Sequence, residues 1–387
     1  MYDYLIVGGG VAGCTLYNRL KFFDNQTGNK LGKVSDLKVK IIDYSPQNNS
    51  SKVAAGIYNP IVFKRLSKSW EIDNLLPEME LFYSEMENIF DTKLLHKVNI
   101  AKILANQDEV NFWQKKAQER ELSDYLSNIK FRYNEDIIEN SAGLVVIKNS
   151  GFLDINNYIN HTIEFAKKND EYLNAEFDFR NLEVNDNIKY KIQAGNSTNA
   201  EKIIFAEGYK ISPNNVPQNP FFPHSKFKLT KGEVLTIKIE NFDLDYIINK
   251  GVFLLPLKEV ISINENLNAR NLFRIGATYE WNDLTENQTD KGKNDILNKF
   301  KMFFKGDFEI IEHKVGIRPT VIDRRPIIGV SPSNDNVFIF NGLGTKGVMI
   351  APLVSKVFIN NFLIDKLESL SNNMNILNDS NYNRFMK

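Results

Sequence analysis

Tyr4-Leu-Ile-Val-Gly8-Gly9-Gly10-Val11-Ala12-Gly13-Cys14 is an apolar strand running straight into G-x-G-x-x-G, with a helix-forming stretch, Thr15 to Leu20, directly behind it. That strand–turn–helix is the arrangement that holds a dinucleotide pyrophosphate. Gly8 lets the chain turn sharply, Gly10 lets backbone approach the phosphates, and Gly13 lets the helix sit close to the strand. The helix start at Val11, Ala12 and Gly13 offers unpaired N–H groups and a positive dipole end to an anion. A second strand, Lys38-Val-Lys-Ile-Ile-Asp43, ends in an acid. A carboxylate there accepts from the ribose hydroxyls of an adenosine, the alternative being a solvated strand-end acid. Asp43 stands 30 residues beyond Gly13, where about 20 are usual. The polar stretch Asp24 to Asp36 reads as a surface insertion that accounts for the excess.

Bulk composition narrows the class. The chain has 387 residues, enough for two domains, with 42% hydrophobic and 25% charged residues, values ordinary for a globular protein. Basic and acidic residues number 48 each and are mixed along the chain, so no field favours nucleic acid or an anionic membrane. A single cysteine, Cys14, excludes an intrachain disulfide and a multi-cysteine metal site, and its place in the first helix reads as packing. The four histidines are scattered, and no metal site is expected. The first strand begins at once, leaving no room for a signal peptide, and no apolar run approaches a membrane span. A cytoplasmic location is expected, with an organic cofactor supplying any hard chemistry.

Periodicity organises the rest. The small-residue stretch Ser50 to Pro60, with Ala55 and Gly56 at its centre, either passes close to a planar cofactor or is a plain loop. Trp70 to Phe90 has the spacing of an amphipathic helix, and Lys97 to Leu104 and Gly143 to Ile147 read as strands. Asp154 suits the N-cap of a helix over Ile155 to Lys168. The apolar strand Lys202-Ile-Ile-Phe-Ala206-Glu-Gly208 returns to the nucleotide-binding domain, and the Pro/Asn-rich stretch Ser212 to Pro223 marks a crossing between domains. The tail beyond Ser369 is polar and Asn-rich, and is expected to be loosely held. An α/β chain follows, with one domain in three pieces (1–65, 151–211, 312–387) and another made of the insertions 66–150 and 212–311.

Two further motifs stand near the C-terminus: Gly316-Ile-Arg318-Pro319-Thr320-Val-Ile-Asp323-Arg-Arg-Pro326-Ile-Ile-Gly329, and Asn341-Gly342-Leu-Gly344-Thr345-Lys346-Gly347. Together with the N-terminal turn, Ala206-Glu-Gly208 and Arg274-Ile-Gly276-Ala-Thr278, they make the chain resemble the FAD-dependent oxidoreductases of the D-amino-acid-oxidase type from Tyr2 to about Leu363. The resemblance implies a Rossmann-like FAD-binding domain and a second α+β substrate domain on a mixed or antiparallel sheet. FAD is then held by Gly8, Gly10, Val11, Ala12, Gly13, Asp43, Ala55, Gly56, Ala206, Gly208, Arg318, Gly342, Gly344, Thr345, Lys346 and Gly347. No cysteine occurs where some relatives attach FAD covalently, and Cys14 lies at a different loop, so the resemblance implies non-covalent attachment.

The second glycine loop opens a helix, another anion-friendly N-terminus. In the family this helix lies by the flavin pyrimidine ring, where Lys346 either adds charge or is a solvated lysine. Arg318 corresponds to the arginine that pairs with a substrate carboxylate, a task suited to its planar fork, unless it only ties motif loops together. Tyr279 either lines the pocket or packs at the core or surface. The implied reaction is oxidation of a C–N bond in an amino acid or secondary amine by hydride transfer to flavin N5, with dioxygen or a quinone as acceptor. The same architecture serves 2-hydroxyacid and glycerol-phosphate dehydrogenases, and a non-catalytic FAD module is the reading from another class. A tRNA-modifying relative exists too, but the charge balance argues against a nucleic-acid partner. A nicotinamide dehydrogenase would explain only the first motif.

Overall fold

The computed structural model describes residues 1–23, 34–44, 49–129, 133–192, 196–211, 219–223, 225–258, 260, 271–363 and 374–386. Two compact units emerge: Met1–Lys52, Tyr158–Thr230 and Ile317–Lys387 form the first, Val53–Asn157 and Lys231–Gly316 the second.

In the first unit, β1 (Tyr2–Val7) lies parallel between β2 (Val39–Asp43) and the strand Ser197–Phe205, with Val7 opposite both Ile42 and Phe205. Tyr172–Asn174 extends the parallel set beyond β2, and Asn334–Asn341 extends it beyond Ser197–Phe205. A hairpin, Leu182–Val184 with Ile188–Lys191, and the strand Ile327–Ser331 add antiparallel edges, giving a mixed α/β sheet of eight strands. Parallel strands covered on both faces read as unbroken apolar runs, and Leu5, Ile6, Ile41 and Ile42 are fully buried. The helix after β1, α1 (Val11–Phe22), is buried almost all round. Arg19, 1% exposed, donates from Nη2 to Pro352 O at 2.9 Å in the helix Gly347–Phe358, with its guanidinium 4.4 Å from the Phe23 ring centroid.

The second unit carries a seven-stranded sheet in the order Glu309–Arg318, Thr230–Lys238, Leu272–Gly276, Val252–Pro256, Ile247–Lys250, Ile100–Ile103, Leu144–Ile147. From Thr230–Lys238 onward its pairs are antiparallel apart from Ile247–Lys250 with Ile100–Ile103, which is parallel. Alternation puts Leu235, Ile237, Leu254, Phe273 and Ile275 on one face, where they pack with Ile296, Phe300, Phe303 and Phe304. Buried Glu233 fastens the helix Asp290–Lys301 to this sheet: it accepts from Thr289 N at 3.0 Å and Thr289 Oγ1 at 2.7 Å, and lies 2.7 Å from His313 Nε2. The long helix Ile72–Phe90 buries Leu75, Leu76, Met79, Phe82, Tyr83 and Met86, the face its spacing predicts.

Several expected boundaries move. Residues 53–65 and 151–157 belong to the second unit because Ile57–Tyr58 pairs with Gly151–Leu153, which also pairs with Leu95–His96. Residues 219–230 stay in the first unit, where Phe222 packs edge-on to Phe205 and Tyr382, and 312–316 fall in the second. Asp154 does cap its helix, accepting from Asn157 N at 3.1 Å. The tail contradicts its expected looseness over 374–386. Ile376 and Tyr382 are buried there, and Arg384 Nε donates to Asp323 Oδ2 at 2.7 Å. Most of the Asp24–Asp36 insertion (24–33), most of the Ser212–Pro223 stretch (212–218) and the tail over 364–373 lie outside the described residues.

Candidate functional site

Three chain segments of the first unit meet at the carboxyl ends of its parallel strands. Gly8 adopts φ +110°, and a β-carbon there would stand 2.4 Å from Ala206 O. At Gly13 a β-carbon would stand 1.9 Å from Gly8 O, so strand end and helix start touch backbone to backbone. Cys14 N–H makes the first helical bond, to Gly10 O at 2.9 Å, and Gly10 caps α1 with no side chain. The N–H groups of Ala12 and Gly13 are thus the orphan donors of the helix start, ready for an anion. Val11 N–H is used differently: it donates to Ser51 Oγ at 3.1 Å, and Ser51 is itself held by Asn49 Oδ1 at 2.9 Å. Asp43 closes β2 with its carboxylate beside Gly9, where a β-carbon would lie 2.8 Å from Oδ2. Cys14 is fully buried, donates weakly to Gly9 O at 3.4 Å, and burial pushes its thiol far above the usual range, as a packing role requires.

The second glycine loop arrives at the same place. Gly342 and Gly344 both take left-handed φ, +73° and +60°, and Gly347 opens the helix Gly347–Phe358. A β-carbon at Gly347 would lie 3.3 Å from Val11 Cγ1, so the two glycine-fed helix starts abut. Asn341 ties the loop to the third segment: its Nδ2 donates to Gly208 O at 2.9 Å while its Oδ1 accepts from Gly342 N at 2.7 Å. Thr320 Oγ1, a buried hydroxyl without a hydrogen-bond partner, lies 3.9 Å from where a β-carbon on Gly344 would stand. Arg318, partly buried, ends the strand Glu309–Arg318 two residues earlier. Lys346, at the helix N-cap, is partly buried, and burial lowers its ammonium to about 8.

These features fit a dinucleotide cofactor: glycines that leave no room for side chains, two helix starts, an acid at the ribose-side strand end and an orphaned hydroxyl. Of the residues expected there, Gly8, Gly10, Val11, Ala12, Gly13, Asp43, Ala206, Gly208, Arg318, Gly342, Gly344, Thr345, Lys346 and Gly347 all lie in the first unit. Ala55 and Gly56 lie in the second. Gly56 (φ +74°) is needed there because a β-carbon would stand 2.1 Å from Leu153 O. Tyr279, also in the second unit, is 56% exposed and stacks on Trp281. Ser51 carries no motif signal because its partner, Val11, is 40 residues away, and Asn341 and Thr320 stand inside the quoted motifs without a role that the motifs assign them.

Glu207, between Ala206 and Gly208, accepts from Asn219 Nδ2 at 3.0 Å, and burial lifts its carboxyl to about 7. The fold therefore favours its protonated form. Stability from this group is complete below its ordinary 4.5 and declines as pH rises to about 7. Glu207→Gln removes the decline, so the variant is expected to match the parent at pH 4 and exceed it by ~1–3 kcal/mol at pH 8. Denaturant unfolding at both pH values checks this.

Among the described residues, no group of His, Cys, Asp or Glu is arranged to hold a metal and no helix is long and apolar enough to cross a membrane. The fold is shared with solved flavoenzymes. Iminodiacetate oxidase from Chelativorans sp. BNC1 superposes with a TM-score of 0.73 at 16% identity, over 95% of this chain and 96% of that one. Glycine oxidase from Geobacillus kaustophilus gives 0.72 at 17%, over 96% and 97%. L-α-glycerophosphate oxidase from Mycoplasma pneumoniae, with FAD bound, gives 0.65 at 16%, over 94% and 95%. The family model described as FAD dependent oxidoreductase matches residues 3–360, nearly the whole chain, and with it the glycine-built cradle has its explanation: this chain is an enzyme of the FAD-dependent oxidoreductase family.

Proposed function

We propose that the chain oxidises the C–N bond of an amino acid or secondary amine, with the first unit holding FAD non-covalently and the second serving the substrate. The observation that carries this reading is the convergence of the Gly8–Gly13 turn with the Gly342–Gly347 loop, alongside Arg318 in the same unit. Iminodiacetate oxidase and glycine oxidase, which share the fold, bear names of amine-oxidising enzymes.

Bound FAD supplies the two-electron acceptor. The chain's own part is binding, orientation and charge. The N–H groups of Ala12 and Gly13 would hold the pyrophosphate, Asp43 would accept from the ribose, and Arg318 would pair with the substrate carboxylate through two parallel charge-assisted bonds. So held, the substrate nitrogen must be neutral, because its lone pair forms the C=N bond as the neighbouring C–H bond breaks and hydride leaves. Water then splits the C=N bond into a carbonyl and an amine. No side-chain base is required; positioning and exclusion of water carry the rate. The electron acceptor is dioxygen or a quinone. Steady-state assays should yield a 2-oxo acid with ammonia or a primary amine; a 2-hydroxyacid as the only turnover substrate would overturn the assignment.

Lys346 sets the driving force. With FAD bound, the Lys346 cation and the helix start behind it would favour negative charge on the cofactor. Lys346→Met is expected to lower the midpoint potential by roughly 20–45 mV, the equivalent of ~1–2 kcal/mol for two electrons. With its ammonium at about 8, the parent's advantage is present below that pH and fades above it. Potentiometric titration of both proteins at pH 7 and 9.5 measures it; equal potentials at pH 7 would remove Lys346 from the site.

A further inference from the structure

In the second unit, Arg274 sits in the middle of the strand Leu272–Gly276, whose neighbours Phe273 and Ile275 face the hydrophobic core. Alternation therefore turns Arg274 to the other face of the sheet, together with its cross-strand partners Thr236 and Leu255. Leu255 is 1% exposed and Thr236 8%, so this second face is covered. The small-residue segment that begins the unit lies against it, with Ala54 O 3.3 Å from an Arg274 Nη. Burial lowers the guanidinium from its ordinary value, because desolvation disfavours a cation there.

Local chemistry does not meet that cost. The Nε–H of Arg274 is buried and has no hydrogen-bond partner among the described residues, and the Ala54 bond is long for a charged donor. Two carboxylates are within electrostatic reach, Glu312 and Asp154, and both have other work. Glu312 pairs with Lys314 Nζ at 2.9 Å and accepts from Thr236 Oγ1 at 3.4 Å. Asp154 caps its helix through Asn157 N. A buried Nε–H beside Nη donors is half of a fork that binds a planar anion side-on.

We propose that Arg274 is a carboxylate-binding residue of the second unit, accepting a carboxylate group of the small molecule that the enzyme oxidises. This rests on the reading of the second unit as the substrate-serving one. A planar carboxylate fits the fork; a tetrahedral phosphate would also draw to the charge, and the test separates the two.

Acetate, succinate and phosphate are titrated calorimetrically into the FAD-loaded protein and its Arg274→Gln and Arg274→Lys variants. The expected result is carboxylate binding that weakens roughly 10- to 100-fold in Arg274→Gln and less in Arg274→Lys, which keeps the charge but loses the fork. Carboxylate affinity unchanged in Arg274→Gln, no carboxylate binding to the parent, or Arg274-dependent binding of phosphate alone would overturn the proposal. Should the glutamine variant not fold, the parent's own Arg274 Nε–H resonance, assigned by its loss in Arg274→Lys, must move on adding succinate; a static resonance rejects the site. Neither readout requires turnover. Binding without any amine oxidation would sink the function proposed above and leave this site, whereas oxidation with Arg274-independent binding would do the reverse.

Discussion

Gly13→Ala will strip the protein of FAD. The added methyl would be placed 1.9 Å from Gly8 O, a contact with backbone that no rotamer relieves. Relief needs α1 to move away from β1, yet α1 is buried along nearly its whole length and pinned by Arg19 to Pro352 O. Overpacking a tight core costs about 1–3 kcal/mol, and a backbone clash stands at or above the upper end. The same shift withdraws the Ala12 and Gly13 N–H groups from the pyrophosphate. FAD affinity should fall by at least about 100-fold, equivalent to ~2.7 kcal/mol. Gly208→Ala is the contrast: among the described residues nothing lies within 4 Å of its β-carbon position, and only its left-handed φ of +63° is strained. Fluorescence titration of apoprotein with FAD ranks the two; equal affinities would show that the Gly8–Gly13 contact does not shape the cradle.

Arg318→Leu should cut kcat/KM for amino-acid substrates by roughly 100- to 1000-fold, the equivalent of ~3–4 kcal/mol for a bidentate charge-assisted pair in a site closed to water. The arginine ends its strand beside Pro319, where the backbone is fixed and the side chain is only partly buried. Arg318→Lys keeps a point charge and should recover only part of the loss. An amine without a carboxylate should lose little, which separates substrate binding from a merely structural role. If FAD affinity falls while the substrate effect is absent, Arg318 ties the loops and does not touch substrate.

The glycines were the most legible part of the site, because a G-x-G-x-x-G between strand and helix has few physical explanations. The structure adds the reason in distances: Gly8 against Ala206 O, Gly13 against Gly8 O, Gly347 against Val11. Long amphipathic elements were legible for the same reason of strict periodicity, as in Ile72–Phe90. The domain limits were less so. Ile57–Tyr58 is too short to read as a strand, and its pairing with Gly151–Leu153, nearly a hundred residues away, is what assigns residues 53–65 to the second unit. Gly56 has a packing reason of its own, since a β-carbon there would stand 2.1 Å from Leu153 O. The C-terminal tail reads as loosely held by its polar, Asn-rich composition, but Ile376, Tyr382 and Phe385 pack where Arg384 holds Asp323. Composition averages cannot report three well-placed side chains.

Anaerobic mixing of the FAD-loaded enzyme with panels of amino acids, secondary amines, 2-hydroxyacids and glycerol phosphates tests the central claim most directly, read as bleaching of the visible flavin band. Fast bleaching by one or more amines, with no response to the hydroxy compounds, is the predicted result. Bleaching only by a hydroxyacid or a glycerol phosphate, or a flavin that no amine reduces, would contradict it.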